Sequence, residues 1–112
     1  MVEDCVFCGI VRGDIPGERV LESENFIVIR DVNPKVEGHS LIISKKHFEN
    51  FMEMSEELDS ELLGLAREVV RKEGWGDFNL VTNNGKSAGQ VVFHTHWHIL
   101  SRKKDDGFRL GV

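Results

Sequence analysis

The chain has 112 residues, a formal net charge of −5 and a pI near 5.5, which suits one domain spanning 1–112 and leaves no room for a second core. Its densest positive run, Arg102-Lys103-Lys104, is followed at once by Asp105 and Asp106, so nothing in the composition reads as a footprint for nucleic acid, and none is expected as a partner. No apolar run is long enough to span a bilayer, and residues 1–10 carry Glu3 and Asp4 without a basic start, so no membrane partner or secretory leader is expected and the cytosol is the expected compartment.

Residues 5–13, CVFCGIVRG, read as a short helical turn stopped by Gly13, and Pro16-Gly17 as a turn. Val20-Leu21 and Phe26–Arg30 are short β-type runs joined by the polar segment 22–25, the pattern of a hairpin. Asn33-Pro34 ends the second run, and 40–44, with Leu41, Ile42 and Ile43, forms a third strand. The period then changes. Leu58, Leu62, Leu65, Ala66 and Val69 fall on one helical face. Ser55 suits its N-cap, Glu56 and Glu57 its positive end, Arg71 and Lys72 its negative end, and Gly74 a left-handed C-cap. Residues 78–82 return to strand character, 83–89 form a loop, and VVFHTHWHIL (91–100) reads as a final strand. Strands on both sides of one long helix, without βαβ alternation, predict an α+β domain with an antiparallel sheet.

His94, His96 and His98 alternate with Thr95 and Trp97. On a strand all three imidazoles would share one face, roughly 6.7 Å apart. Three polar rings beside Val91, Val92, Phe93, Ile99 and Leu100 are costly to bury without partners, which argues against three idle core histidines. A three-histidine metal site remains open on spacing alone. The preceding loop, with Asn84-Gly85 and Ala88-Gly89, offers small residues and backbone N–H groups that can make an anion-binding nest, or else an ordinary turn. A nest beside a histidine strand points to phosphoryl or nucleotidyl transfer.

These residues also carry a resemblance. NNGKSAGQVVFHTHWHIL is similar to the signature of the histidine-triad (HIT) proteins, CVFCGIVRGDIPGERVLES to the N-terminal region of their bacterial and archaeal members, and RDVNPKVEGHSLIISKKH to their central nucleotide-binding segment. The three cover nearly the whole chain in order, and the length resembles the Hint branch of phosphoramidases. The resemblance implies a HIT-like antiparallel sheet of about five strands with one long helix and a short N-terminal helix. It implies that His96 is the nucleophile forming a nucleotidyl-histidine intermediate, that His39 of Gly38-His39 completes the histidine cluster, and that Asp31 holds the ribose hydroxyls. Phe7, Ile10 and Phe26 lie where apolar residues wall the base pocket. Asn83, Gly89 and Gln90 match the phosphate-side loop. At position 91 many members carry Ser or Thr where this chain has Val91, which bears on leaving-group preference; Ser44 and Ser101 replace usual prolines. A protonated His98 and the loop N–H groups would then stabilise the phosphate charge.

Cys5 and Cys8 are the only cysteines, spaced as a metal knuckle or redox pair. No thioredoxin-like pattern follows them. The resemblance pairs this CxxC with His47 and His94 in a structural zinc site; the alternative is two free buried thiols. It also implies a homodimer joining two half-sheets, and no organic cofactor. The expected activity is hydrolysis of purine nucleoside 5′-phosphoramidates or related adenylates (AMP- or GMP-type) at the α-phosphate. A dinucleoside polyphosphate hydrolase and a non-catalytic, zinc-stabilised nucleotide sensor are the alternatives.

Overall fold

The computed structural model describes residues 4–111, and the expectation built on Glu3 lies outside them. Helix α1 (Val6–Arg12) opens with the Cys5 sulfur accepting the Cys8 N–H at 3.3 Å and closes at Gly13 in the left-handed region. The Arg19 guanidinium donates to the carbonyls of Ile10 and Val11, supplying donors that the last turn of a helix lacks. The strands are β1 (Arg19–Glu22), β2 (Phe26–Arg30), β3 (Ser40–Ser44), β4 (Asp77–Val81) and β5 (His96–Arg102). They form one antiparallel sheet in the order β1-β2-β3-β5-β4. Between β3 and β4 lies α2 (Asp59–Glu73), which ends on left-handed Gly74 as expected. Its start differs from the expectation: Ser55 precedes a separate 3-10 turn, Glu56–Leu58, and α2 begins after it.

The pleat sorts alternate residues to opposite faces. Phe26, Val28, Ile42, Trp97 and Ile99 face α2, where Leu62, Leu65, Ala66 and Val69 complete the main core. Burying each such aliphatic side chain contributes about 1.5–3 kcal/mol, more than the intrinsic propensity of any α2 residue. Ile27, Ile29, Leu41 and Ile43 face the other way and pack under Phe7 and Ile10 of α1. That second face is only partly roofed, and the candidate site lies there.

The final strand is shorter than its sequence pattern. Apolar alternation begins at Val91, but strand pairing begins only at His96. Residues 91–95 leave the sheet, and the Thr95 N–H donates to the Phe48 carbonyl at 2.7 Å instead. His94 therefore does not share a strand face with His96 and His98. Of the three imidazoles expected in register, the ladder carries two.

Candidate active site and metal centre

His96 and His98 stand on β5 opposite Ile43 and Leu41, with Trp97 between them turned into the α2 core. They line a cavity of about 700 Å3 whose apolar wall includes Phe7, Ile10, Ile29 and Leu41 and whose polar edge includes Asp31 and His39. A cavity of this size, apolar with a few convergent polar groups, is of the kind that takes small ligands.

Hydrogen bonds fix which ring nitrogens carry protons. His96 Nδ1 lies 2.8 Å from the His94 carbonyl oxygen. A carbonyl only accepts, so Nδ1 carries the hydrogen and Nε2 keeps its lone pair. Burial lowers the His96 pKa, against the opposing influence of that carbonyl bond and of Asp31, and so favours the neutral ring. The Lys35 N–H donates to His39 Nδ1 at 3.1 Å, so His39 carries its proton on Nε2. That Nε2 is 3.0 Å from His98 Nδ1 and 3.4 Å from Asp31 Oδ2. Donation to His98 Nδ1 leaves His98 protonated at Nε2. The chain Lys35 N–H, His39, His98 is thus directional, and it presents one lone pair, on His96, beside one N–H donor, on His98.

Burial pushes the His98 pKa down to about 4, with neighbouring His96 and His39 adding to the shift. Burial thus favours an uncharged His98 ring with its one N–H on Nε2, where an imidazolium facing the phosphate was expected. Asp31, His39 and His98 also place donor atoms within 4.8 Å of one another, as a metal site would. A cation there would have to displace the proton that the Lys35 N–H bond places on His39 Nε2. The three read as a hydrogen-bond relay.

The other site residues divide. Phe7, Ile10, Asp31, Asn83, Gly89 and Val91 all border the cavity. Val91 is 85% exposed at its mouth. Gln90 borders it too, but its side chain is committed elsewhere: Nε2 donates to the Glu49 and Val92 carbonyls, and Oε1 accepts the Gly85 N–H. The loop N–H groups of Ala88, Gly89 and Gln90 donate to carbonyls within the loop. With that of Gly85, these four are not the free anion donors expected of the loop. Phe26 is a correction. It is fully buried in the α2 core, on the sheet face away from the cavity. Phe108 and Leu110, which sequence reasoning missed, border the cavity because Asp106 turns the chain back. The Asp106 carboxylate holds the Arg102 guanidinium and accepts the N–H groups of Lys103 and Phe108. Nothing in the local pattern of 103–111 signals that return. Ile29 and Leu41 border the cavity as well, and strand alternation says only that they share a face with Ile27 and Ile43, not that this face meets the cavity.

Cys5, Cys8, His47 and His94 bring one ligand atom each into a cluster no more than 4.8 Å across. Cys5 Sγ is 3.3 Å and Cys8 Sγ 3.5 Å from His94 Nδ1, and Cys8 Sγ is 3.3 Å from His47 Nδ1. The His94 Nε2–H donates to the Ser44 carbonyl at 2.6 Å, which leaves Nδ1 free to ligate. Burial pushes the Cys5 thiol up, against the Cys8 N–H that its sulfur accepts and with the Cys8 side chain adding to the rise, a tendency a bound cation would reverse. The donor set fits a metal ion.

The family model described as the HIT domain matches residues 12–105. The chain belongs to the histidine-triad (HIT) family. The adenosine 5′-monophosphoramidase hnt1 of Schizosaccharomyces pombe is 36% identical over 108 residues, 96% of this chain and 80% of that one. The adenylylsulfatase HINT3 of Arabidopsis thaliana is 41% identical over 107 residues, 92% of this chain but 54% of its own length. A solved HIT family hydrolase from Clostridium thermocellum superposes with a TM-score of 0.87 at 36% identity, covering 98% of this chain and 99% of that one. The five-stranded antiparallel sheet with a short and a longer helix is therefore the HIT fold, as expected. Among the described residues, no helix is long and apolar enough to cross a membrane.

Proposed function

We propose that this HIT hydrolase cleaves purine nucleoside 5′-phosphoramidates or related adenylates at the α-phosphate through a covalent nucleotidyl-His96 intermediate. Hydrolase activity itself rests on its family and on the monophosphoramidase and adenylylsulfatase among its relatives. The observation that carries the mechanism is the bond from His96 Nδ1 to the His94 carbonyl, which leaves Nε2 as an unprotonated nucleophile at the cavity. In the first step Nε2 forms a bond to phosphorus while the bond from phosphorus to the leaving nitrogen or oxygen breaks. His98 Nε2–H is the nearby donor, to a phosphate oxygen or to the departing group. Water then attacks phosphorus, the P–N bond to His96 breaks, and the nucleoside monophosphate leaves. Asp31, 17% exposed at the cavity edge with Oδ1 accepting the Asn33 N–H, is suited to hold ribose hydroxyls through Oδ2. Phe7 and Ile10 supply apolar surface for a base.

Cys5, Cys8, His47 and His94 would hold Zn2+. A tetrahedral zinc with ordinary Zn–S and Zn–N bonds separates sulfur from nitrogen by roughly 3.6 Å, close to the spacings of this cluster. Four protein ligands leave no open position, so the ion would supply a structural cross-link and no substrate chemistry. A homodimer is supported by β4, which ends the sheet with its outer edge unpaired among the described residues and Phe78 43% exposed. The cytosol remains the proposed compartment.

The test is incubation with adenosine 5′-phosphoramidate, followed by alkaline denaturing quench and intact-mass analysis. Turnover with a nucleotidyl adduct mapped to His96, absent in His96→Ala, is expected. AMP binding without turnover of any phosphoramidate, adenylate or dinucleotide would replace this reading with a nucleotide sensor.

A further inference from the structure

Arg30 is the last residue of β2 and borders both the nucleotide-sized cavity and a second, more polar cavity behind it. Its guanidinium is shared among several partners. Nη1 donates to the Gly38 carbonyl at 3.0 Å and to Ser40 Oγ at 2.8 Å, while Nη2 donates to the Glu73 carboxylate. Glu73 is the last residue of α2, and two residues on Trp75 lies against Gly38. Gly38 has φ +82°, and a Cβ there would sit 2.9 Å from Trp75 Cζ2, so position 38 admits only glycine without displacing the indole. The Gly38 peptide is thereby held by the guanidinium and the Ser40 hydroxyl, which both donate to its carbonyl, and by the indole.

His39 comes next in the chain. Its N–H donates to the Val36 carbonyl and its carbonyl accepts the Asp31 N–H. Its ring is held at Nδ1 by the Lys35 N–H, and the Gly38 peptide sets the backbone from which that ring projects. That ring donates to His98 Nδ1 across 3.0 Å. We propose that Arg30, braced by Glu73 and Trp75, is a positioning residue that fixes Gly38-His39 so that His98 stays in its Nε2–H tautomer. The inference rests on the donor role given to His98 above. The residue type matters: a planar fork of five donors spans a carbonyl, a hydroxyl and a carboxylate at once, and a single ammonium does not. Without the fork the Gly38 carbonyl keeps only the Ser40 hydroxyl, which itself loses the guanidinium that orients it, and the His39 ring, still bonded to the Lys35 N–H, can shift away from His98. His98 Nδ1 can then take the proton back, and Nε2 becomes a lone pair aimed at an anionic phosphate, the reverse of what the reaction needs.

The experiment uses full-length Arg30→Gln, Arg30→Lys and Glu73→Gln. Long-range 1H–15N imidazole spectra report which nitrogen of His98 is protonated, with His96 as internal reference. Steady-state kinetics with adenosine 5′-phosphoramidate separate kcat from KM. Expected are an Nε2–H His98 in the wild type, an added Nδ1–H population in both Arg30 variants, a fall in kcat of up to about 10²-fold and little change in KM. Glu73→Gln should fall less, since its amide oxygen still accepts. A purely structural role would lower the melting temperature and leave tautomer and kcat alone. A folded Arg30→Gln with the wild-type His98 spectrum and kcat overturns the proposal; if that variant does not fold, the same result in Arg30→Lys together with Glu73→Gln overturns it. Should the wild type show no turnover, the catalytic reading falls while the His98 spectra still decide the role of Arg30.

Discussion

At the scale of single residues, the proposed chemistry depends on the direction of hydrogen bonds more than on the presence of histidines. Asp31 should separate sugar from phosphate recognition. Asp31→Asn is expected to weaken ribonucleotide binding by about 1.5–3 kcal/mol, the worth of a hydrogen bond to a charged group, and to leave 2′,3′-dideoxynucleotides nearly unaffected. Isothermal titration with both ligand classes checks this, and equal losses would remove the ribose role. His98 gives a pH signature. Its folded pKa is lowered to about 4 from an ordinary 6.5. As pH falls below 6.5 the unfolded chain takes up a proton that the folded chain refuses until about 4, so stability drops across that window. His98→Asn should show a shallower loss of melting temperature between pH 7 and 4.5 than the wild type. Identical slopes would mean that His98 is not held neutral by burial. Protonation of the Cys and His ligands acts on both proteins alike and cancels in the comparison.

At the scale of elements, α2 serves as an anchor as well as a core helix. Glu61 accepts the Asn25 N–H and Asn25 Nδ2–H, both at 2.7 Å, and the Ser23 hydroxyl, tying the β1–β2 turn to the helix. These bonds hold its carboxyl below the ordinary range in spite of the opposing effect of burial. Glu61→Ala should cost about 1–3 kcal/mol in urea unfolding while kcat stays unchanged, because the turn lies away from the cavity. A loss of activity at full stability would contradict that division. The helix was legible because its apolar residues repeat with a helical period over three turns, and the hairpin because polar residues interrupt two apolar runs. The start of β5 was not legible. VVFHTHWHIL alternates throughout, and the partners that draw 94 and 95 off the ladder lie far away in sequence, at Cys5, Cys8, Ser44 and Phe48. Phe26 was misplaced for a different reason. FIVIR is apolar on both faces, so its period does not say which face meets the helix and which meets the cavity. The placing of His39, His96, His98 and Asp31 around one cavity was legible through the family motif, but the proton positions were not, since they depend on the Lys35 N–H and the His94 carbonyl.

At the scale of the molecule, the cysteine–histidine cluster ties α1, the segment after β3 and the segment before β5 to one point. Chelation should therefore lower the melting temperature, and Cys8→Ser should abolish bound metal and reproduce the shift. Elemental analysis after expression with supplemented zinc is expected to find about one ion per chain. Less than half an equivalent, or a melting temperature indifferent to chelator, would leave two free thiols as the better description. The sheet itself sets a further condition. Core and cavity are interleaved along the same strands, with Trp97 serving one and its neighbours His96 and His98 the other. Deleting one residue within β5 would turn the indole into the site and the imidazoles into the helix core. Length variation among related chains should accordingly gather outside the paired strands, in segments such as 31–38, 83–95 and 103–111, where a lost or gained residue leaves the parity of the strands intact.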